Sequence, residues 1–439
     1  MIVPAIKMTG YSAWLAYLVA ILVGFLMIAP TVFVSSALRL GGGYYSMLAD
    51  LAGPTASGVF AYAYLTQCFS LSLFGSSAAA YLGEIIPALG GHTARIVVGA
   101  GLLTFFYVVN MLGVDIMASA QKIMTWLLIA ALLIFAIFGL MQRTLPIFDF
   151  NDPEFLIDGW TITFENGQIK GGFIGAVLLF LYSCNGYSMT CAYGRDAKNA
   201  KKDIPLAMLL SVPTLIVLYV GVAMAATGVM TVEEYGESTT LVFSAQKMFP
   251  TWLFFLFIIG GPIMALLSTL NSSFAYNAIT IGQSCDDKWL PEKFGEKNSK
   301  GSRKWILTFM YVIGIIPIIF GLSITVITNM IQLITSALAL LYTYAYIRMP
   351  KKYKSVWKKS FIHIPDGLYY VICALSLFIY IVTIWKSCLS MSPMLAFGNV
   401  AVIIILALLG LWRAKTGDIT IHTSVWTGEE SNSARPEQS

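Results

Sequence analysis

The chain is expected to be an all-α polytopic membrane protein, and three features of the sequence predict it. Of its 439 residues, 58% are hydrophobic and only 11% charged, where a soluble domain carries charge on roughly 25%. The apolar residues gather in runs long enough to cross a bilayer, and the basic residues lie mostly in alternate loops between those runs. Tyr, Phe and Trp make up 13%, and 37 glycines are spread through the apolar runs, which suits interfacial aromatic belts and close helix contacts in lipid.

A hydrocarbon core of about 30 Å needs roughly 20 apolar residues per helix. Eleven full spans meet that need: 12–38, 56–84, 95–117, 119–141, 172–192, 205–230, 250–283, 304–321, 323–347, 367–386 and 393–413. Each is too long for a secretory apolar core, and none is followed by a small-residue cleavage site. Met1 to Met8 are apolar but too few to cross. With the linker before the first span placed outside, 21 of the 27 Lys and Arg fall on one side and 6 on the other. By the positive-inside rule the basic side is expected to be cytoplasmic. The C-terminus is therefore expected in the cytoplasm, in a multi-pass protein of the plasma (cytoplasmic) membrane. Residues 142–171, with Asp149, Asp152, Glu154, Asp158 and Glu165, become an external loop. The tail within 414–439 is polar, rich in Ser, Glu and Thr, and is expected to be disordered.

Several function classes are excluded early. A formal charge of +5 does not indicate nucleic acid, because the basic residues cluster between hydrophobic segments and form no aromatic-interleaved patch. Cys68, Cys184, Cys191, Cys285, Cys373 and Cys388 have no C-x-x-C spacing, and His92, His363 and His422 stand alone. No disulfide framework, metal site, cofactor site or hydrolytic constellation can be built from them. The chain is not expected to be an enzyme, and no repeated carbonyl loop or charged ring suggests a channel.

One span is unusual. Leu-Tyr-Ser-Cys-Asn-Gly-Tyr-Ser, residues 181–188, is a polar, glycine-bearing stretch inside the apolar run that begins at Gly172. Backbone groups released by a helix break in lipid cost several kcal/mol each unless they face protein, a cavity or a ligand. A break at Ser183, Cys184, Asn185, Gly186 and Tyr187 would therefore line a binding site. The N-terminus of one half-helix offers N–H groups and positive dipole to an anionic group, while carbonyls of the other accept from cations. That pairing suits a zwitterion. On composition alone, Gly186 could instead be a packing glycine and Asn185 an interhelical hydrogen-bonding residue.

The residues immediately C-terminal to the stretch decide between these readings. Tyr-Gly-Arg-Asp-Ala-Lys-Asn-Ala-Lys-Lys-Asp-Ile-Pro (193–205) resembles the sixth-helix exit of the amino acid, polyamine and organocation (APC) permeases, which reads E-V-K-N-P-x-x-x-I-P ten residues after a glycine. Gly186, Asp196, Lys198, Asn199, Ile204 and Pro205 fall in register, with Ser188, Asp196 and Ala200 departing from the usual acid, Glu and Pro. Leu-Gly-Gly-Gly-Tyr-Tyr (40–45) with Leu-Ala-Gly-Pro (51–54) is similar to the loop after that family's second helix. Asn110 to Gly113 and Gln121 resemble its fourth and fifth helices, and Ser268 to Asn271 with Asp287, Leu290 and Pro291 its eighth helix and exit loop. The resemblance covers nearly the whole chain to about residue 350 and rests on order and spacing.

The resemblance implies inverted five-helix repeats of the LeuT-like (APC) fold, with 11 full transmembrane helices here plus an N-terminal partial helix. The first repeat would occupy 1–141, the external loop 142–171, the second repeat 172–350 and the last two helices 365–413. Ile2, Val3 and Pro4 then align with the part of the first helix just after its G-x-G-I break. The glycines that bind the substrate carboxylate, and the cytoplasmic half of that helix, have no counterpart in the chain. Either the reading frame begins upstream, or a short form exists that does not transport normally. The implied function is secondary active transport of amino acids by alternating access at broken helices 1 and 6. The alternatives are a non-transporting membrane amino-acid sensor and an inactive truncated permease.

With no buried acid facing the expected pocket, a neutral amino acid fits better than a cationic one. No cofactor is expected beyond a coupling ion, Na+ or H+, and the partners are an amino acid and the lipid bilayer. Ser268 and Thr269 are candidates for a sodium site, against the alternative that their hydroxyls bond back to their own helix. The fifth-helix position that carries a coupling lysine in some relatives is Leu128 here, and Lys122 is expected to be an interfacial anchor. Gln67, Ser70, Asn329 and Gln332 are candidate pathway residues, with ordinary interhelical hydrogen bonding as the competing role.

Overall fold

A computed structural model describes residues 1–165, 168–184, 186–236, 238, 240–417, 419–421 and 425–426. Helices dominate because a chain in hydrocarbon must satisfy its backbone polar groups internally. α1 (Ile2–Thr9) ends at Gly10, where φ is +73°. A Cβ there would come within 1.9 Å of the Glu154 carbonyl oxygen, so only glycine lets the chain turn against the 142–171 segment. α2 (Ala13–Ala37) is a full span containing Pro30. The two-residue strand β1 (Arg39–Leu40) and α3 (Tyr44–Ala52) follow.

The expected span 56–84 is not one α-helix. It runs as α4 (Pro54–Ala63), a 3-10 stretch Tyr64–Phe69, and α5 (Ser70–Ile85). α6 (His92–Met111) and α7 (Val114–Met141) complete the first half. The segment expected as a plain loop, 142–171, carries a hairpin of β2 (Thr163–Glu165) and β3 (Gln168–Gly171). α8 (Phe173–Phe180) starts the interrupted span expected at 172–192, the sixth when α1 is counted as the first.

α9 (Ala200–Leu215), a π turn Ile216–Val220 and α10 (Gly221–Val229) form the next span. α11 (Val242–Met248) is short, and α12 (Thr251–Ile258), a π turn Ile259–Ile263 and α13 (Met264–Asp286) form another span. The first π turn follows Pro213 closely and the second contains Pro262, where the missing N–H and the ring clash disturb the ordinary ladder. Short α14 (Glu292–Gly295) precedes α15 (Lys304–Ile319), only 16 residues long. α16 (Ile324–Tyr346), α17 (Met349–Lys352), α18 (Lys354–Lys358), α19 (Asp366–Leu389) and α20 (Pro393–Thr416) finish the helices.

Among the described residues, nine helical runs are long and apolar enough to cross a membrane. Of the expected eleven, the segmented third-helix run and short α15 fall outside that set. Two short strand pairings accompany the helices. The 142–171 segment forms a hairpin, and β4 (Val425–Trp426) pairs antiparallel with β1, Arg39 opposite Trp426 and Leu40 opposite Val425. Backbone hydrogen bonding to an open edge explains both, since neither a short strand nor its partner needs apolar periodicity.

Packing follows lipid logic. Trp126, Phe378, Phe397, Leu408 and Trp412 point outward, whereas helix contacts use small residues. A Cβ on Gly410 of α20 would be 2.4 Å from the Gly58 carbonyl oxygen of α4, so glycine permits backbone approach there.

Candidate functional site

The sixth span abandons α geometry in its middle. After Phe180 the chain tightens into 3-10 turns over Leu181–Cys184 and again over Gly186–Arg195, where Tyr193 has φ −86° and ψ 15°. Asn185 lies outside the described residues. Runs of 3-10 helix beyond three or four residues are uncommon because their hydrogen bonds are poorly aligned. A long one in mid-membrane needs neighbours that tolerate under-satisfied backbone.

Those neighbours come largely from α2. Gly24 lies so close to the interruption that a Cβ would be 2.9 Å from both Cβ and the carbonyl oxygen of Cys184. Two turns earlier on α2, the Tyr17 ring stacks on Phe180 with centroids 3.8 Å apart, and its hydroxyl donates to Ser183 Oγ over 3.3 Å. Ser183 Oγ in turn donates to the Phe180 carbonyl at 2.9 Å. Tyr219 stacks on the other flank of Tyr17 at 5.4 Å. Cys184 is buried.

The next turn is different. A Cβ on Gly186 would meet no heavy atom within 4 Å. The Tyr187 hydroxyl is buried without a hydrogen-bond partner, which leaves one donor and its acceptor lone pairs unused in the turn after the interruption. Ile2, Val3 and Pro4 form the first turn of α1, where the Ile2 and Val3 N–H groups have no intrahelical acceptor and Pro4 has no N–H to offer. The intrahelical ladder starts with Ala5 N–H donating to the Met1 carbonyl at 3.0 Å, and α1 packs on α8. The structure thus brings α1 against α8, the helical part of the interrupted span that precedes its 3-10 turns.

The other candidates separate into groups. Gln67 lies in the 3-10 stretch of the third-helix run, and its Nε2 donates to Thr335 Oγ1 at 3.0 Å. Ser70 Oγ donates back to the Gln67 carbonyl at 2.6 Å. Asn329 and Gln332 both accept from Lys386 Nζ, at 3.2 and 3.3 Å. Ser268 and Thr269 hydroxyls both donate to the Ala265 carbonyl, at 3.1 and 2.7 Å, the own-helix bonding that competes with a sodium role.

Motif residues far apart in sequence also meet. Asn271 Oδ1 accepts from Asn110 Nδ2 at 3.0 Å, and its Nδ2 donates to Gln121 Oε1 and the Met117 carbonyl, each at 3.1 Å. This knot ties α6, α7 and α13 together. Tyr45, just after the glycine-rich loop, donates to Asp287 Oδ2 at 2.6 Å. Lys122 is exposed, as an interfacial anchor would be.

Sequence reasoning misses Tyr17, Gly24 and Lys386. The first two are seven residues apart on one face of α2, but nothing in the sequence says that this face meets the interruption. Lys386 reads in the sequence as one of the loop charges, although Ser387 and Ser390 beside it extend the polar character of that helix end.

Comparison with known proteins agrees with this architecture. The sequence pattern of the family described as "Amino acid permease" matches residues 1–409. An uncharacterized protein of Methanocaldococcus jannaschii is 26% identical over 237 residues, 53% of this chain and 51% of that protein. A general amino acid permease of Saccharomyces cerevisiae is 24% identical over 193 residues, 42% of this chain and 32% of that protein. The chain thus spans about half, or a third, of the length of these relatives. With the family pattern running through nearly all the described helices, the chain belongs to the amino acid permease family.

Proposed function

We propose that the protein is a secondary active transporter of amino acids, preferring neutral ones, which works by alternating access with substrate held between α1 and the interrupted sixth span. The observation that carries this reading is the loss of α geometry from Leu181 onward, with open space at the Gly186 Cβ position and, one residue on, a buried Tyr187 hydroxyl without a hydrogen-bond partner. Free N–H and C=O groups at a helix interruption suit the two charged ends of a zwitterion. The run 172–192 contains no Asp or Glu, which favours a substrate without a cationic side chain. Ser183, Cys184 and Tyr187 supply hydrogen bonds and shape, leaving side-chain selection to the apolar walls. The charge asymmetry of the loops supports a cytoplasmic C-terminus.

The test is counterflow exchange in liposomes containing the purified protein, with radiolabelled alanine, serine and leucine as probes. A Cβ at Gly186 meets no heavy atom within 4 Å, so Gly186→Leu places its branched side chain in the open space there; it should leave the protein monodisperse and reduce exchange at least about tenfold, the loss of roughly 1.4 kcal/mol of binding. Wild-type protein that exchanges none of the three, or a Gly186→Leu variant as active as wild type, rejects the reading.

A further inference from the structure

Lys386 occupies the last turn of α19, yet it does not reach outward as lysines near helix ends in lipid usually do. The residue is 7% exposed, and its ammonium lies between α19 and α16. Among the described residues no carboxylate forms an ion pair with it. Its partners are two neutral amide oxygens, Asn329 Oδ1 at 3.2 Å and Gln332 Oε1 at 3.3 Å. The Asn329 amide is oriented for this, since its Nδ2 donates to the Ser390 carbonyl at 3.2 Å. Both lysine bonds are longer than the roughly 2.7–2.9 Å usual for a charge-assisted contact. A purely structural cation in such a place would normally be matched by a carboxylate.

The two acceptors begin a polar line along α16. Asn329, Gln332 and Thr335 recur every third residue, and Thr335 meets Gln67 on the 3-10 stretch of the third-helix run. Hydrogen-bonding groups therefore run from the end of α19 toward mid-membrane. The ammonium at the head of that line has amide partners that can accept from it and cannot neutralise it.

We propose that Lys386 is a proton-carrying group that couples amino acid movement to protons. In the cycle one N–H bond of the ammonium breaks, the electron pair stays on Nζ, and the proton passes to water. The reverse step reloads it. Asn329 and Gln332 position Nζ, accepting from ammonium and amine alike, so the side chain can hold its place in both states. This rests on the transport reading above.

Few other charges face the group. The outer half of α16, residues 324–341, contains no ionisable side chain, and α2 brings only Tyr17, bonded to Ser183. The hairpin packed against α19 carries Lys170 and Glu165, exposed and paired with each other at 3.2 Å. On α19 itself the ionisable neighbours are Cys388 and Tyr380, the latter 3.4 Å from the Tyr342 hydroxyl.

The test uses the full chain in liposomes, with uptake of labelled alanine, serine and leucine driven by an acid-outside pH gradient under a clamped membrane potential. Wild type should accumulate label. Lys386→Arg keeps a cation that does not give up its proton, and Lys386→Met removes the titrating group. Both should lose gradient-driven accumulation at least about tenfold while counterflow exchange stays within about threefold, roughly 0.65 kcal/mol. Retained accumulation in either variant overturns the proposal, as does wild-type uptake indifferent to the gradient with exchange intact, which leaves the transporter reading standing. Absence of any wild-type exchange removes both. If Lys386→Met is not monodisperse, Lys386→Arg, which preserves the charge, decides.

Discussion

The Tyr45 hydroxyl donates to Asp287 Oδ2 across 2.6 Å, and neither residue has measurable exposure. One lies in the first turn of α3, just after the glycine-rich loop, the other at the end of α13, 242 positions later. A buried carboxylate losing such a donor carries most of the desolvation cost, about 1–3 kcal/mol. Tyr45→Phe should lower thermal stability in detergent by that amount. The double variant Tyr45→Phe/Asp287→Asn should be less destabilised than the sum of the single changes, by at least about 0.5 kcal/mol. Strict additivity in the melting data would mean that the pair is not coupled.

The Asn110, Gln121 and Asn271 knot tests orientation as well as contact. Asn271 Nδ2 faces two acceptors, the Met117 carbonyl and Gln121 Oε1. Asn271→Ala removes three hydrogen bonds, which in a membrane helix average about 0.6 kcal/mol each. Asn271→Asp keeps the acceptor for Asn110 but turns a charged oxygen on two acceptors. It should therefore destabilise more than alanine does, and equal losses in a detergent melt would refute the assigned amide orientation.

Two glycines near the interruption should behave oppositely on folding. Gly24→Val drives its side chain into the Cys184 backbone, which cannot move aside as a flexible side chain would. Overpacking of this kind costs about 1–3 kcal/mol, and the yield of monodisperse protein should fall. Gly186→Ala meets open space and should leave yield and melting unchanged. The comparison is read by size-exclusion chromatography of the two variants.

A smaller effect belongs to Lys247 of α11 and Glu234 of the preceding loop, whose ammonium nitrogen and carboxylate oxygen are 2.8 Å apart. Hydrogen bonding from Lys247, and then from the Thr231 backbone, lowers the carboxyl below its usual 4.5. Because the folded value is depressed, the contribution is present above about 4.5 and is lost as pH falls through the folded value. Both groups are nearly half exposed, so solvent screening keeps the effect of Glu234→Gln below about 1 kcal/mol at neutral pH. The difference from wild type should vanish in acid and shrink in high salt, as measured by melts across pH.

Much of the fold was legible because the bilayer restricts the choices. Hydropathy marked the run beginning at Gly172 as a span, and the polar stretch Ser183 to Tyr187 marked where its α-helix would fail. The structure replaces that α-helix with 3-10 turns from Leu181 onward. The hairpin 163–171 and the β1–β4 pairing were not legible. Strands of two to four residues carry too little pattern, and their partners are chosen by an available edge. The third-helix run is similar: 56–84 reads as one apolar helix, yet Tyr64–Phe69 tightens to 3-10 where Gln67 meets Thr335.

Sequence by itself determined most of the spans, the uneven split of basic residues among the loops, and the polar stretch within the run that begins at Gly172. Each is a local property, set by the cost of leaving apolar or backbone groups in the wrong solvent. Tertiary structure alone decided that Gly24 and Tyr17 face that stretch, that Asn110, Gln121 and Asn271 form one knot, and that Lys386 lies inward against Asn329 and Gln332. These depend on which helix faces pack together. Many surfaces are comparably greasy in lipid, so hydropathy does not choose among them, and hydrogen bonds and small-residue contacts between distant segments make the choice.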